Sequence, residues 1–221
     1  MNLNEKYTSV ISIFKAINPQ PKTELVYNSP FELLVAVILS AQCTDKRVNE
    51  ITPKLFKELP TPQDFANASV EQIFQIIKSC SYPNNKAKHL HQMATILVGQ
   101  FNSIIPNTVE ELQTFPGVGR KTAHVMVSVL HNAPAMAVDT HVFRVSNRIG
   151  LTPGAKTVRH VEDILTAHTP THEIHAMHHW LILHGRYVCT ARKPNCLNCP
   201  ITKYCDYFRD ITNKDLSSLN F

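Results

Sequence analysis

The sequence is poor in the features that would place it in a membrane or in a β-rich fold. Its longest uninterrupted apolar run is Leu33 to Leu39, far short of the roughly twenty residues that a membrane-spanning helix needs. Residues 1–18 lack the apolar stretch of a secretion signal. Only 6 of 221 residues are glycine, and almost no segment alternates apolar and polar side chains as a half-buried strand does. These absences argue against export and a membrane role and favour an all-α fold.

Acidic residues are nearly missing from one stretch, although the formal net charge of the whole chain is only +5. Between Leu112 and Val161, Asp139 is the single acid. The same stretch holds Arg120, Lys121, Arg144, Arg148, Lys156 and Arg159. A basic surface around one carboxylate indicates a polyanion partner such as DNA, and the alternative on charge alone is a solvated helix face.

Helix-start signals recur along the first half of the chain. Ser29 followed by Pro30 combines a capping side chain with a proline at the first helical position. Thr61 provides a similar start, and Thr108 with Glu111 has the spacing of a capping box. The pattern predicts a succession of short helices.

A glycine-containing turn, Phe115-Pro-Gly-Val-Gly119, lies between two apolar-periodic segments and predicts a helix-hairpin-helix. Gly117 and Gly119 can both adopt backbone conformations that a side chain would forbid. The helix that follows from Arg120 would present unpaired N–H groups and the positive end of its dipole, which together attract a phosphate.

Two residues near this turn are candidates for chemistry. Lys121 lies in the first turn of the second helix, where the dipole favours the neutral, nucleophilic form of an amine. Asp139 precedes another apolar-periodic run and is first of all a helix cap, but its carboxylate could face Lys121 across a cleft. Taken alone, the two would be a solvated lysine and a cap, and it is their conjunction that favours a site.

Four cysteines cluster near the C-terminus, separated by six, two and five residues: Cys189, Cys196, Cys199 and Cys205. They could be metal ligands or form two disulfides, and nothing directs the chain to an oxidising compartment, which favours metal. Zinc and a [4Fe–4S] cluster both accept four thiolates, and the spacing alone does not choose between them. The isolated Cys43 and Cys80 are predicted to be ordinary buried thiols.

Histidines are frequent around Trp180. His175 and His179 are four residues apart on a predicted helix, a spacing that can bind a metal, although no carboxylate joins them. The favoured interpretation is a helix that ends at Gly185, with Trp180 and Leu183 in the core and the histidines at the surface or hydrogen-bonded.

The chain resembles the helix-hairpin-helix DNA glycosylase superfamily, and its endonuclease III branch in particular. Two motifs carry the resemblance, Phe115-Pro-Gly-Val-Gly-Arg-Lys-Thr-Ala and Ala137-Val-Asp-Thr-His-Val-Phe-Arg-Val, within a similarity that extends from Phe31 to Cys205. The cysteine spacing matches the [4Fe–4S] signature of that branch, which favours the cluster over zinc. The resemblance implies two helical domains, with residues 23–132 forming the bundle that contains the hairpin and residues 1–22 plus 133–221 forming the iron-sulfur cluster domain.

The resemblance also implies an activity. The protein would be a bifunctional DNA glycosylase and abasic-site (AP) lyase of base excision repair that removes oxidised pyrimidines from duplex DNA. Lys121 would attack the sugar carbon of a nucleotide flipped into a cleft between the domains, leaving a Schiff base that β-elimination resolves, and Asp139 would assist.

Contacts with DNA are implied for a wider set of residues: Gln42, Tyr82, Gly117, Gly119, Arg120, His141, Arg192 and Lys193. Gln42 would occupy the space left by the flipped nucleotide. Tyr82 lies where the family usually has an aliphatic residue that wedges into the base stack, so it departs from the pattern, and a simple loop tyrosine is the alternative. The expected partner is double-stranded DNA with damaged bases or abasic sites, bound by a cytoplasmic, nucleoid-associated monomer without a membrane role.

Two alternatives stay open. An adenine-excising monofunctional glycosylase of the same superfamily shares the hairpin, the aspartate and the cluster, but that branch lacks lysine at the position of Lys121 and carries an extra C-terminal domain. A non-enzymatic helix-hairpin-helix DNA-binding protein with a zinc site would need the hairpin and the cysteines, but not the pair of Lys121 and Asp139.

Overall fold

The computed structural model describes residues 1–217, and within them every regular element is a helix. The α-helices in chain order are α1 (Leu3–Ile17), α2 (Pro30–Ser40), α3 (Asp45–Glu58), α4 (Pro62–Asn67), α5 (Val70–Ile77), α6 (Pro83–Phe101), α7 (Val109–Leu112), α8 (Arg120–His131), α9 (Thr140–Ile149), α10 (Val158–His168), α11 (Ile174–Tyr187) and α12 (Asp206–Ser217). Three short 3₁₀ helices cover Thr171–Glu173, Cys196–Asn198 and Thr202–Tyr204. The all-α prediction is confirmed. None of the helices in the described range combines the length and apolar character needed to cross a bilayer.

The chain divides into two compact units. One contains residues 23–133, and the other combines residues 1–22 with residues 134–221, of which the structure describes those up to 217. Lys121 belongs to the first unit, and Asp139 and the four clustered cysteines belong to the second.

The unit of residues 23–133 is built around α2. Every residue from Leu33 to Leu39 is buried, because α3, α6 and α8 pack against this helix. The Ser29 hydroxyl accepts a hydrogen bond from the Glu32 amide (3.1 Å) at its start, as the capping pattern predicts. The buried helix α2 therefore holds α8 in place. It also fixes the starting points of the loops that follow α2 and α5.

The second unit has its core between α9 and α11, with α1 packed alongside. Tyr7 and Phe14 of α1 lie in this core together with Trp180 of α11. The Trp180 indole donates to the Asn18 carbonyl at 2.7 Å. This sequence-distant packing places the N-terminal helix in the same unit as the cysteine segment.

Candidate active site and cysteine centre

The chain turns sharply between α7 and α8. The Phe115 amide donates to the Leu112 carbonyl (3.2 Å), and the Val118 amide donates to the Phe115 carbonyl (3.0 Å). Phe115 and Val118 are both buried. The predicted helix-hairpin-helix is confirmed, and short-range hydrogen bonds with two apolar anchors hold it.

The two hairpin glycines have different roles. Gly117 has a φ of +82°, a left-handed conformation, and a Cβ added there would lie 3.1 Å from His89. Gly119 has φ −84° and ψ 177°, which any residue adopts, and an added Cβ would meet no described atom within 4 Å. Of the two glycines, therefore, only Gly117 uses the backbone freedom that the sequence allows to both. The missing side chain of Gly119 instead leaves open space in front of α8.

The first turn of α8 combines an open helix end with positive charge. No side chain caps the helix at Gly119, and no acid lies in the first turn. Arg120 and Lys121 are exposed there, while Ala123 and Val127 on the opposite face are buried. Unpaired helical N–H groups and the dipole favour an anion at this end, so the geometry fits a phosphate with an amine beside it.

Asp139 is the N-cap of α9. Its Oδ1 accepts hydrogen bonds from the amides of His141 and Val142, both at 2.8 Å. Within the described part of the chain, Oδ2 makes no hydrogen bond, and the residue is half-buried. The capping role is confirmed. It leaves the second oxygen available, so capping and a chemical role are compatible.

Gln42 and Tyr82 lie in two loops of the same unit that are tied together. Both residues have left-handed backbones, each with φ +53°, which is uncommon for side chains of this size. The Ser81 hydroxyl donates to the Gln42 carbonyl. Both side chains are exposed, that of Tyr82 by 63%. Left-handed residues persist only where the surroundings hold them, and they cluster at functional sites.

Lys86 holds these loops in place, and the sequence analysis missed it. It is buried, and its ammonium donates to the carbonyls of Leu39 (2.8 Å) and Ala41 (2.7 Å) from the first turn of α6. The available signal was its spacing, since Lys86 lies four residues before Leu90 on the buried stripe of α6. A charge on an apolar stripe predicts a specific set of buried acceptors.

His141 lies at the closest approach of α9 and α11. A Cβ added to Gly185 would lie 2.9 Å from His141 and 3.0 Å from Val145. Gly185 was predicted to end its helix, which is wrong because α11 continues to Tyr187. Glycine is needed at this position for close packing. One amino group of Arg144 makes a 3.2 Å contact with His141 Nδ1 and donates to the Gly185 carbonyl (2.9 Å).

The four clustered cysteines line one cavity with an empty volume of about 320 Å³, part of it open to solvent. Burial raises the pKa of the Cys199 thiol to about 11, and the negative charges of the other three thiolates contribute. Burial is also the main cause that raises the pKa of Cys196 and of Cys205. A cationic centre would favour the thiolate forms of these three cysteines, because it offsets the cost of burying their negative charge.

The donor set of the cysteine cavity matches that of an iron-sulfur cluster. Four cysteine thiolates are the ligands that a [4Fe–4S] cluster takes, and all four cysteines line this one cavity. The donor chemistry therefore agrees with the cluster prediction.

Two arginines of α9 hold the cysteine segment. Arg148 donates to the carbonyls of Thr190 (2.8 Å) and Ala191 (2.9 Å), and one of its amino groups lies 3.5 Å from Cys189 Sγ. Arg144 donates to the Cys189 carbonyl at 3.2 Å. Both arginines use their donors within the protein. The sequence analysis had instead expected them to form part of a basic surface for a polyanion.

Other basic residues differ from one another in whether their charges are paired or exposed. Arg159 pairs with Asp163 (3.0 Å) and Glu162 (3.6 Å) on α10. Arg192 and Lys193 are fully at the surface, in the loop between the first two clustered cysteines. The exposed cations of the described chain therefore include Lys121 and the two residues of this loop, and the stretch from Leu112 to Val161 is not exposed and basic throughout.

The histidines of α11 are more buried than predicted. The rings of His175 and His179 meet edge to face with centroids 4.7 Å apart. His179 is 4% exposed, and its Nε2 has no hydrogen-bond partner among the described residues, so a surface or hydrogen-bonded role is wrong for it. Trp180 is in the core as predicted, whereas Leu183 is only half-buried.

The chain matches two known protein families and several known relatives. Residues 35–170 match the HhH-GPD superfamily of base excision DNA repair proteins. Residues 189–205 match the iron-sulfur binding domain of endonuclease III. Endonuclease III of Rickettsia conorii is 49% identical over 199 residues, covering 90% of this chain and 94% of the relative. That of Escherichia coli K12 is 44% identical over 202 residues, covering 91% and 95%.

A solved structure of a trapped covalent intermediate between endonuclease III and DNA, an estranged-adenine complex, is also similar. It superposes with a TM-score of 0.90 and 39% sequence identity, covering 96% of this chain and 100% of that one. The likeness extends over both compact units of the chain.

Proposed function

The chain belongs to the HhH-GPD superfamily of base excision DNA repair proteins, in its endonuclease III branch, and on that premise we propose how it acts on DNA. It is a bifunctional DNA glycosylase and AP lyase with a [4Fe–4S] cluster. Its substrates are double-stranded DNA with oxidised pyrimidines or abasic sites. The observation that carries the proposal is an exposed lysine in the first turn of an uncapped helix, directly after the glycine hairpin.

Lys121 is the nucleophile. The target nucleotide must leave the base stack before its glycosidic carbon is reachable. The amine then attacks that carbon, the C–N bond to the base breaks, and the resulting Schiff base undergoes β-elimination that cuts the strand. No acid lies in the first turn of α8, and among the described residues no ion pair of the Lys121 amine is seen.

Asp139 supports this step through the oxygen that it does not use for capping. Two amide hydrogen bonds to Oδ1 fix the orientation of the carboxylate. Oδ2 would accept a proton from the attacking amine or stabilise positive charge that develops on the sugar. The proposal requires both residues to act on the same nucleotide.

Phosphate binding at the hairpin positions the strand. Gly117 shapes the turn, and the absent side chain of Gly119 lets a phosphate approach the first N–H groups of α8, with Arg120 beside them. Gln42 and Tyr82 would contact the bases around the flipped nucleotide, since both are exposed on held loops. His141, Arg192 and Lys193 complete the proposed contacts.

We further propose that Cys189, Cys196, Cys199 and Cys205 ligate the cluster. The bound cluster supplies a cationic centre that fixes the segment, rather than chemistry on the substrate. Arg144 and Arg148 orient the segment from α9, and the loop then presents Arg192 and Lys193 to phosphates. We propose that the protein is a monomer in the cytoplasm, associated with the nucleoid.

Borohydride trapping tests the central assignment. The wild-type protein should form a covalent complex with an abasic-site duplex, and Lys121→Gln should lose trapping while it retains binding. Lys57→Gln, an exposed lysine in the last turn of α3, is the matched control and should trap normally. Equal trapping by wild type and Lys121→Gln would remove the nucleophile role. An adenine-excising enzyme without a lysine nucleophile would not trap.

A further inference from the structure

A second cysteine pair lies outside the cluster segment, in the unit of residues 23–133. Cys43 follows the end of α2, and Cys80 follows the end of α5. Cys80 is buried as predicted, but Cys43 is partly exposed, so it is not the ordinary buried thiol that was expected. Both are free thiols in the structure.

The two thiols lie in adjoining loops. The Ser81 hydroxyl, next to Cys80, donates to the carbonyl of Gln42, next to Cys43, and each thiol influences the pKa of the other. Cys80 Sγ also contacts the Leu39 carbonyl at 3.4 Å. The Lys86 ammonium lies 3.2 Å from Cys80 Sγ. A partly exposed thiol, a buried thiol and a cation therefore form one group, although 36 residues separate the cysteines in sequence.

The environments of the two thiols are unequal. Burial raises the pKa of Cys43, but hydrogen bonds from Ser81 and Cys80 and the charge of Lys86 lower it below its usual value overall. Burial, with the neighbouring Cys43, raises the pKa of Cys80. An oxidant reaches the thiol that is both more exposed and more ionised, which is Cys43.

We propose that Cys43 and Cys80 are an oxidative modification site, in which peroxide converts these neighbouring thiols into a reversible disulfide between the loops of Gln42 and Tyr82. The Cys43 thiolate attacks hydrogen peroxide, takes one oxygen as a sulfenic acid and, with one proton, releases water. Cys80 then attacks the Cys43 sulfur, the S–O bond breaks, and a second water leaves. Two thiols and one peroxide thus give one disulfide and two waters.

The bond would change both loops. The sulfur atoms must approach from a non-bonded separation to about 2 Å. Gln42 is adjacent to Cys43, Tyr82 lies two residues after Cys80, and both hold left-handed backbones that tolerate little displacement. This consequence rests on the proposed function, because only there do Gln42 and Tyr82 contact DNA. Oxidation should therefore weaken binding to an abasic-site duplex.

Peptide mapping tests the bond independently of DNA. The holoprotein is treated with a small excess of hydrogen peroxide, alkylated without reduction, digested and analysed by mass spectrometry. We expect a cross-linked pair of the peptides that contain Cys43 and Cys80, which dithiothreitol separates. Separate alkylation of both cysteines, or sulfinic acid at Cys43 with a free thiol at Cys80, would overturn the proposal.

Binding to the abasic-site duplex tests the consequence. The Kd of the wild type should rise on the order of tenfold after peroxide, as for a small misplacement of contacting groups, and should recover with dithiothreitol. Cys43→Ser retains the cluster cysteines and should show no such change, which separates this effect from cluster damage. A disulfide that leaves the Kd unchanged would overturn the regulatory consequence. If the reduced wild type neither binds nor traps, the proposed function fails, while the peptide result still decides the bond.

Discussion

The hairpin and the cysteine segment reach a fixed geometry in opposite ways. The hairpin of residues 112–120 is held by hydrogen bonds between residues three apart and by its own apolar anchors. The segment of residues 189–205 contains only short 3₁₀ helices, and its carbonyls are held by Arg144 and Arg148, more than 40 residues away in sequence. The proposed nucleophile therefore directly follows a turn that nearby residues determine. The cysteine loop depends instead on distant side chains and on its cofactor.

Loss of the cluster should break this comparison most strongly. We expect cluster removal, or Cys199→Ser, to lower hydrogen-exchange protection across residues 189–205 by orders of magnitude, because the bound centre supplies much of the folding energy of such segments. Protection across residues 115–131 should stay near its normal value. Cys43→Ser is the control and should change neither region. Equal loss in both regions would contradict the comparison.

Acid should selectively destabilise the unit that carries the cysteines. Burial, and then the charges of His178, His175 and Arg186, lower the pKa of His179 from 6.5 to about 3. Since the unfolded state binds the proton more tightly, stability is fully present above pH 6.5 and falls as the pH drops towards 3. The loss due to this group at pH 5 should be about 2 kcal/mol.

Chemical denaturation between pH 7.5 and 5 measures this dependence. His179→Phe should reduce the decline by roughly half, because burial also lowers the pKa of His184 on the same helix to about 4 and this group keeps its share. His172→Gln, at an exposed histidine beside the same helix, should leave the decline unchanged. A decline of the same size in His179→Phe would assign the acid sensitivity to other groups.

The two hairpin glycines provide a sharper test within the first region. Gly117→Ala should cost about 1 to 2 kcal/mol, because a left-handed backbone is unfavourable with a Cβ and the new atom presses on His89. Gly119→Ala should cost less than about 1 kcal/mol, the difference expected at an N-cap, but it should weaken DNA binding. Thermal denaturation and fluorescence anisotropy distinguish the two. A larger loss of stability in Gly119→Ala would contradict the assigned roles.

The smallest expected effect concerns the support of the cysteine loop. Arg148→Met keeps much of the side-chain volume but removes the donors to Thr190 and Ala191, which should cost about 1 kcal/mol and raise hydrogen exchange there. Arg192→Met, in the same loop and at the surface, should leave stability unchanged. Matching stability of Arg148→Met and wild type would show that the cluster alone holds the loop.

Much of the local structure was predictable from residue patterns. The caps at Ser29 and Thr108, the hairpin and the cap at Asp139 all depend on residues within three or four positions, and the structure confirms them. The family motifs around Lys121 and the cysteine spacing also led to the superfamily and the cluster, which the family models support. The roles of Lys121, Asp139 and the individual DNA contacts, and domain boundaries at residues 22 and 132, stay predictions.

The errors share a different cause. Arg144 and Arg148 resemble DNA-binding cations in sequence but donate to carbonyls of a distant segment. Gly185 resembles a helix end, but it lies inside α11 because α9 packs against it. In each case the deciding partner is remote in the chain, so no local pattern contains it.

The sequence by itself determined where helices begin, where the hairpin turns and which four thiols lie in one segment, because these depend on backbone propensity and spacing among neighbours. Only the tertiary structure decided that Lys86 is buried between two loops, that the loops of Cys43 and Cys80 adjoin, and that one oxygen of Asp139 stays unused among the described residues. Packing and hydrogen bonding between segments far apart in the chain decide these features. Their energies depend on both partners, so no short stretch of sequence predicts them.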